Sequence, residues 1–299
     1  MATARTDPTR REFIKGVGAA TVSLAVGMPE STRSETTQAG TSRVILVRHR
    51  DAVSDSGDIS GELVGRMLED AMAALFGGDD PPACWRQIIR ADDVVGIKTN
   101  GWRNLPTPPA VEQAIRRGVL SAGVPERNIA IADRDVLENE VFQRSTALVN
   151  TRPMRSHAWS GVGSLIKNYI TFVTNRPDYH PDGCAELARL WDLPIVRGKT
   201  RLNVLVMLTP QYHNIGQSHF DPSFVWNYNG LIVSTDPVAA DSVGLRIIQQ
   251  KRRLAFGEDR PLQPTAHHIA IADTQFHLGN SDPARIDLVR LGWDGDILI

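Results

Sequence analysis

Short apolar runs alternate with amphipathic stretches along the first half of the chain. Residues 43–48 (RVILVR), 92–100 (DDVVGIKTN) and 127–135 (RNIAIADRD) are rich in β-branched and aliphatic residues, which is typical of buried strands. Between them, residues 59–78 and 107–123 carry apolar residues at helical spacing and end on glycine. This order is typical of right-handed crossovers between parallel strands. We therefore predict an α/β fold with a mainly parallel central sheet and helices on both faces.

The second half of the chain continues with further strands and helices. We expect Thr107, Asp182 and Asp236 to cap helices, because short polar side chains accept hydrogen bonds from the free N–H groups of a first turn. Pro237 fits the first position of the helix that follows Asp236. The predicted elements here are strands at 201–208 and 230–235, helices at 164–173, 182–193, 236–253 and 267–279, and a final segment at 284–293 that completes the fold.

Residues 1–42 differ in character from the rest of the chain. The pattern Thr9-Arg10-Arg11-x-Phe13-Ile14-Lys15 resembles a twin-arginine export signal, and the apolar stretch at 17–29 is too short to span a bilayer comfortably. The sequence leaves open whether this signal is cleaved after Gly27 or kept as an anchor. Residues 30–42 are polar and aperiodic, as in a linker. We expect the twin-arginine translocation machinery to export a single α/β domain, residues 43–299, to the periplasm or another extracytoplasmic compartment.

Charge and cysteine content narrow the classes of partner. Lysine and arginine number 33 against 34 acidic residues, which gives a formal net charge of -1. No local basic stripe is visible, so we expect no nucleic-acid partner. Cys84 and Cys184 are the two cysteines of the chain, and an exported protein could join them in a disulfide. The sequence does not indicate an oligomeric state.

Polar residues follow several of the predicted strands directly. Lys98 and Asn100 end the second strand, Asp133 and Arg134 end the third, and Asp236 follows the strand at 230–235. In open α/β sheets, ligands bind beyond the carboxyl ends of the strands. Each residue also has an ordinary interpretation, such as solvation, a loop ion pair or a helix cap. Their agreement predicts one polar cleft at this edge of the sheet.

Five segments resemble a known family when they are taken in order along the chain. They are DDVVGIKTN, GVPERNIAIADR, HAWSGVGSLIKNYI, HPDGCAELARLWDLPIVRGKTRLNVL and STDPVAADSVG, and together they resemble the domain of unknown function 362 family over about residues 43–291. Many members carry a cysteine-rich, ferredoxin-like segment that this chain lacks, so we expect no iron–sulfur cluster. The resemblance implies recurrent polar positions at Lys98, Asn100, Asp133, Arg134, His157, Lys167, Asn168, His180, Lys199, Arg201, Asp236 and Asp241.

The preferred interpretation is an enzyme of undefined specificity that acts on a small anionic molecule. Cationic side chains neutralise carboxylates or phosphates, and amides orient them. As catalytic residues we predict Lys98, Asp133, Lys167 and His157, because a lysine or histidine of lowered pKa could serve as a general base. The predicted ligand-binding residues are Asn100, Arg134, Asn168, Lys199, Arg201 and Asp236. We further expect Lys98→Ala to abolish ligand-induced stabilisation while leaving the melting temperature within a few degrees.

Two other interpretations remain open. In the first, a metal is the cofactor, and its candidate ligands are His180, Asp182, His213, His219 and Asp221, although neither spacing matches a strong metal signature. In the second, the protein binds a small molecule or cofactor without catalysis, and Trp102, Trp226 or Tyr228 could stack on a planar ligand.

Overall fold

The computed structural model describes residues 40–214 and 220–299, which belong to one compact unit built on an eight-stranded sheet. Nearly all of the proposed export signal and linker therefore lies outside the described residues. No helix in the described part of the chain is long and apolar enough to cross a membrane. The strands are β1 (Ser42–Arg48), β2 (Val95–Lys98), β3 (Ile129–Ala132), β4 (Ala147–His157), β5 (Gly161–Gly163), β6 (Thr200–Gln211), β7 (Gly230–Ser234) and β8 (Ile286–Gly292).

The sheet has the strand order β3-β2-β4-β6-β7-β1-β8, and β5 pairs with β4. The pairs β2–β3, β2–β4, β4–β6 and β1–β8 are parallel. β7 runs antiparallel to both of its neighbours, and β5 runs antiparallel to β4. The prediction of an α/β fold with a mainly parallel sheet is confirmed.

Helices cover both faces of the sheet. They are α1 (Gly61–Phe76), α2 (Pro81–Arg86), α3 (Pro109–Ser121), α4 (Glu140–Gln143), α5 (Leu165–Asn168), α6 (Pro181–Cys184), α7 (Pro237–Phe256) and α8 (His268–Thr274). Short 3-10 segments lie at Glu126–Asn128, Tyr169–Phe172, Arg176–Tyr179, Ala185–Asp192, Pro222–Phe224 and Pro283–Arg285. Apolar residues of α1, α2 and α3 form one buried cluster with one face of the sheet, and those of α5, α7 and α8 form a second cluster on the other face.

Two of the three predicted helix caps are wrong. Pro108, not Thr107, precedes α3, and the Thr107 hydroxyl instead accepts a hydrogen bond from Asn100 N at 3.1 Å. Asp182 has a left-handed backbone, with φ of 48°, so it begins no regular helix. Asp236 does cap α7, because its Oδ1 accepts hydrogen bonds from Val238 N and Ala239 N at 2.8 and 3.0 Å.

The sequence prediction also missed β4, the long strand in the middle of the sheet. Its residues ALVNTRPMRSH mix apolar, polar, proline and arginine positions without a clear period, so they resemble a loop. The disulfide that the sequence left open for an exported protein is not formed in the structure. Cys84 and Cys184 are both free and buried, and they belong to the clusters on opposite faces of the sheet.

Candidate functional site

A row of polar residues crosses the sheet where β2 ends. Lys98 of β2 is in register with Asn150 of β4, which is in register with Asn203 of β6. Asn150 Nδ2 donates to Asn203 Oδ1 at 3.1 Å and to Leu165 O at 3.2 Å. Residues in register on neighbouring strands point to the same face. The row therefore marks the place at which α5 contacts the face of the sheet.

Asn168, at the end of α5, connects this helix to the sheet. Its Nδ2 donates to Asn150 Oδ1 at 2.8 Å, to Thr151 O at 3.0 Å and to Lys98 O at 3.2 Å. Its Oδ1 lies 3.5 Å from Lys98 Nζ. The amide that was predicted to contact a ligand is therefore engaged mainly in holding two strands and a helix together.

Lys98 is fully buried, and its ammonium group is already paired. Nζ donates to Asp133 Oδ1 and to Thr99 O, both at 2.6 Å, and Asp133 Oδ2 accepts from Gly101 N at 2.8 Å. Burial lowers the pKa of Lys98 to about 8 even though the Asp133 carboxylate opposes the shift. Burial would raise the pKa of Asp133, but the charge and hydrogen bond of Lys98 outweigh it, and the pKa is lowered.

Arg152 of β4 follows Asn150 by two residues and so faces the same side of the sheet as Lys98, and Arg155 lies close to Arg152 beside Gly163. Arg152 is 3% exposed, and its Nε has no hydrogen-bond partner among the described residues. Burial lowers the pKa of Arg152 to about 10, while the carboxylates of Asp133 and Asp241 oppose the shift. The Arg155 guanidinium lies 4.0 Å from the centre of the Trp102 ring. Its pKa is well below the usual range because of burial and the charge of Arg152, and its Nε is also without a partner in the described part of the chain.

Lys167 adds a fourth cation. It is 3% exposed, and its Nζ donates to the Cys184 Sγ at 3.4 Å. Burial lowers the pKa of Lys167 to about 8, with a contribution from the charge of Arg152, while Cys184 opposes the shift. We name Lys98, Arg152, Arg155 and Lys167 the cation cluster, because the charge of Arg152 lowers the pKa of each of the other three.

Asp241 of α7 holds the helix that carries Lys167. Its carboxylate accepts hydrogen bonds from Leu165 N and Ile166 N, both at 2.9 Å, and from the Ser164 hydroxyl at 2.6 Å. Burial raises the pKa of Asp241 to about 6, and these three donors limit the rise. A carboxylate on α7 thus replaces the cap that the first turn of α5 lacks, and it fixes where Lys167 and Asn168 lie.

Two histidines border the cation cluster. Burial, followed by the charges of Arg155 and Lys167, strongly lowers the pKa of His157, whose Nδ1 accepts a hydrogen bond from Trp159 N at 3.2 Å. Burial and Lys167 also lower the pKa of His180, whose ring lies 4.3 Å from that of Trp159. Both imidazoles are therefore neutral near pH 7.

The structure separates several predicted ligand-binding residues from this cluster. Lys199 and Arg201 lie at the beginning of β6, the edge opposite to the end of β2. Asp236 follows the antiparallel β7, so it lies beside the beginning of β1, where its Oδ2 accepts from the Ser42 hydroxyl at 2.6 Å. The role in ligand binding that was predicted for these three residues stays a prediction. Arg134 follows Asp133 but is exposed.

Asn100 and Trp102 do lie beside the cation cluster, in the loop after β2. Asn100 Oδ1 is buried and has no hydrogen-bond partner within residues 40–214 and 220–299. Trp102 packs against Arg155, and Phe220 contacts its ring edge-on with 5.7 Å between the ring centres. Tyr228, by contrast, packs on Arg48, whose guanidinium lies 4.1 Å from its ring centre.

The candidate metal ligands do not form a cluster where they are described. His213 Nδ1 lies 3.1 Å from an Arg252 nitrogen, Asp221 accepts from Ser223 N at 2.9 Å, and the backbone oxygen of Asp182 lies 2.6 Å from His267 Nε2. Among the described residues, no three His, Cys, Asp or Glu side chains are arranged to hold a metal ion. His219 lies outside the described residues, so the set that it would complete stays a prediction.

Five residues contribute to the site although the local sequence did not predict them: Asn150, Arg152, Arg155, Asn203 and Asp241. The family resemblance did imply one of them, Asp241. Asn150 and the two arginines belong to the missed strand β4. Their signal in the sequence is a pair of arginines three residues apart, the first of which stands three residues after the apolar run ALV.

Comparison with known proteins agrees with the resemblance seen in the sequence. Residues 125–246 match the family model described as Domain of unknown function (DUF362). The matched region runs from the segment before β3 to the middle of α7, so it includes Arg152, Arg155 and Lys167 but not Lys98. Neither the curated proteins nor the solved structures gave a match.

Proposed function

We propose that the protein is an enzyme that acts on a small anionic molecule, a carboxylate or a phosphate, bound at the cation cluster. The observation that carries this proposal is the excess of buried positive charge. Lys98, Arg152, Arg155 and Lys167 lie together, and the hydrogen bonds of Asp133 serve Lys98 and the backbone rather than the arginines. Burial of a charge is costly unless it is paired. A bound anion supplies the missing negative charge.

The free hydrogen-bonding groups suit the same ligand. Guanidinium groups bind carboxylate and phosphate oxygens through parallel N–H donors, and the Nε donors of both Arg152 and Arg155 lack a partner in the described structure. Trp102 packs on one face of the Arg155 guanidinium, whose Nη1 donates to Ser156 O at 3.4 Å, so that the buried Nε is the donor left without a partner among the described residues. A planar or tetrahedral anion at this place would complete these hydrogen bonds.

Lys167 is the best candidate for a general base. A pKa of about 8 means that a useful fraction of its side chain is neutral amine near physiological pH, so that it can accept a proton from a bound molecule. Lys98 has a similar pKa, but its ammonium is bound to Asp133. We therefore propose that Lys98 and Asp133 support the structure of the site and that Lys167 accepts the proton.

The second candidate function is binding without catalysis. It is favoured by His157, whose pKa is too low for it to exchange protons near neutrality, and by the complete pairing of Lys98. These features leave Lys167 as the main titrating group beside the ligand. Loss of substrate turnover in Lys167→Met with retained ligand affinity would favour the enzyme.

The test compares two substitutions of cations by methionine, one in the cation cluster and one at the beginning of β6. We expect inorganic phosphate or acetate to raise the melting temperature of the wild-type protein, since ligands that bind only the folded state stabilise it. Arg152→Met should lose this rise, because it removes a buried guanidinium from the cation cluster. Lys199→Met is the matched control at the beginning of β6 and should keep the rise. An unchanged response in Arg152→Met would contradict the proposal.

A further inference from the structure

Gln211, the last residue of β6, has a buried side chain that makes no hydrogen bond to the described residues. It is 1% exposed, and neither its Oε1 nor its Nε2 has a hydrogen-bond partner among the described residues. A buried carboxamide normally makes several hydrogen bonds, because it offers two donors and an oxygen acceptor. Both ends of this amide are therefore available to a bound molecule.

The neighbour of Gln211 in the sheet is an arginine of the cation cluster. Arg155 and Gln211 are in register at the ends of β4 and β6. Side chains in register on adjacent strands project to the same face, and the strands lie about 5 Å apart. Two independent observations thus meet at one place, namely the unpaired Nε of Arg155 and the unpaired amide of Gln211.

The chemistry of these two side chains limits what can bind between them. Arg155 can only donate hydrogen bonds, so it calls for an acceptor such as a carboxylate or phosphate oxygen. Oε1 of Gln211 can only accept, so it requires an O–H or N–H donor, which a carboxylate or a fully deprotonated phosphate group does not have. A protonated amine would meet the positive charges of Arg155 and its neighbours Arg152 and Lys167. The donor that fits is therefore uncharged.

We propose that the ligand is a hydroxylated anion, with a neutral hydroxyl within about 5 Å of its carboxylate or phosphate, and that Gln211 is the residue that selects it. This inference rests on the proposed function and narrows its ligand class. The hydroxyl donates to Gln211 Oε1 and accepts from Nε2, while the anionic group accepts from the arginines. The ligand then satisfies both ends of the amide as well as the buried charge.

Probes that differ by one group test the inference by thermal shift. Glycolate carries a hydroxyl next to its carboxylate, acetate lacks it, and glycine carries a charged amine in its place. Glycerol 3-phosphate and propyl phosphate form the corresponding pair for a phosphate ligand. We expect the hydroxylated member of at least one pair to bind about tenfold more tightly than its counterpart, and glycine to bind more weakly than acetate. The pair that shows the difference identifies the anionic group.

The variant Gln211→Met, whose side chain has nearly the same shape, tests whether Gln211 causes this preference for the hydroxylated ligand. It should bind acetate or propyl phosphate as the wild-type protein does but lose the preference for the hydroxylated probe. Without ligand, its melting temperature should not fall, because the amide makes no hydrogen bond to described residues. Gln143→Met, on the exposed surface of α4, is the matched control and should keep the preference.

The possible failures can be told apart. Equal responses to glycolate and acetate, and to the two phosphates, would overturn the inference and leave anion binding intact. A preference that persists in Gln211→Met, or a clear loss of stability in the ligand-free variant, would overturn the role of Gln211. No response to any of the anions would overturn the proposed function as well.

Discussion

Lys98 ends a buried strand, as its position in the sequence predicts, but its ammonium group already has partners. It holds Asp133, Thr99 O and the side chain of Asn168 while being fully shielded from water. The sequence led us to expect a residue that contacts ligand and can be removed at little cost to stability. The geometry instead makes Lys98 a supporting residue, because its removal would leave the Asp133 carboxylate without its charged partner.

We therefore expect Lys98→Met to lower the free energy of unfolding by about 3–5 kcal/mol, the cost of breaking a buried ion pair from one side. The double variant Lys98→Met/Asp133→Asn should recover part of this loss, since it leaves no unpaired charge. Urea denaturation of the two single variants and the double variant gives the coupling energy. Additive effects, or a Lys98→Met protein of wild-type stability, would argue against a structural pair.

The lowered pKa values of Lys98 and Lys167 predict a pH dependence. Folding lowers both pKa values from 10.5 to about 8, so the unfolded chain binds more protons between these limits. Through these two lysines, the ligand-free protein gains stability as the pH rises from about 8 to 10.5, and it carries the full cost of the buried charges below pH 8. Denaturation curves measured across this range should show the gain, and it should shrink in Lys167→Met.

Anion binding should reverse part of this shift. A bound carboxylate or phosphate favours the charged form of Lys167, so binding at pH 8.5 should take up protons from the solution, and affinity should fall as the pH rises further. Calorimetric titration in two buffers with different ionisation enthalpies measures this uptake directly. Identical heats in both buffers would show that no lysine of the site changes its protonation on binding.

The residues found from the sequence and those missed differ in their local context. Lys98, Asp133 and Lys167 stand at the end of an apolar run or within a recognisable motif, so each is visible as an interruption. Arg152 and Arg155 stand in a segment whose proline and polar residues hide the strand. Their burial depends on β2, β6 and α5, which are distant in sequence, so no local pattern could reveal it.

At the scale of elements, the direction of one strand decides which residues share the site. The pattern of β7, GLIVS, is that of a buried strand, and it does not reveal whether the strand runs parallel to β6. Because it runs antiparallel, β7 ends near the beginning of β6, where Ser234 pairs with Asn203, and Asp236 lies beside Ser42 at the beginning of β1. Asp236 is then needed to cap α7, while the ligand-binding role predicted for it has no support from its position.

The connection between α7 and α5 should be open to direct test. Asp241→Asn replaces one carboxylate oxygen by a donor that faces the N–H groups of Leu165 and Ile166, so we expect a loss of about 1–3 kcal/mol in the free energy of unfolding. Because α5 carries Lys167, anion-induced stabilisation should weaken too. Ser164→Ala removes a single hydrogen bond to Asp241 and should cost about 1 kcal/mol. A larger loss in Ser164→Ala than in Asp241→Asn would contradict this account.

At the scale of the whole molecule, export is the most direct prediction that the amino-terminal sequence makes. We propose that the twin arginines Arg10 and Arg11 direct the protein to the twin-arginine translocation machinery. The double variant Arg10→Lys/Arg11→Lys should accumulate in the cytoplasm, and Arg5→Lys should be exported normally. Fractionation of cells into cytoplasm and periplasm measures the outcome. Equal export of the two variants would show that another feature directs the protein.

The sequence by itself determined the α/β class, the helices and strands with strong periodicity, and the position of Lys98 and Asp133 at strand ends. These properties follow from the spacing of apolar residues, which depends only on residues close together in the chain. Only the tertiary structure decided that β4 lies in the interior of the sheet, that β7 runs antiparallel, and that polar atoms of Arg152, Arg155 and Gln211 are buried without a hydrogen-bond partner among the described residues. Strand pairing and burial arise from contacts between segments that are far apart in the chain, and no single segment carries that information.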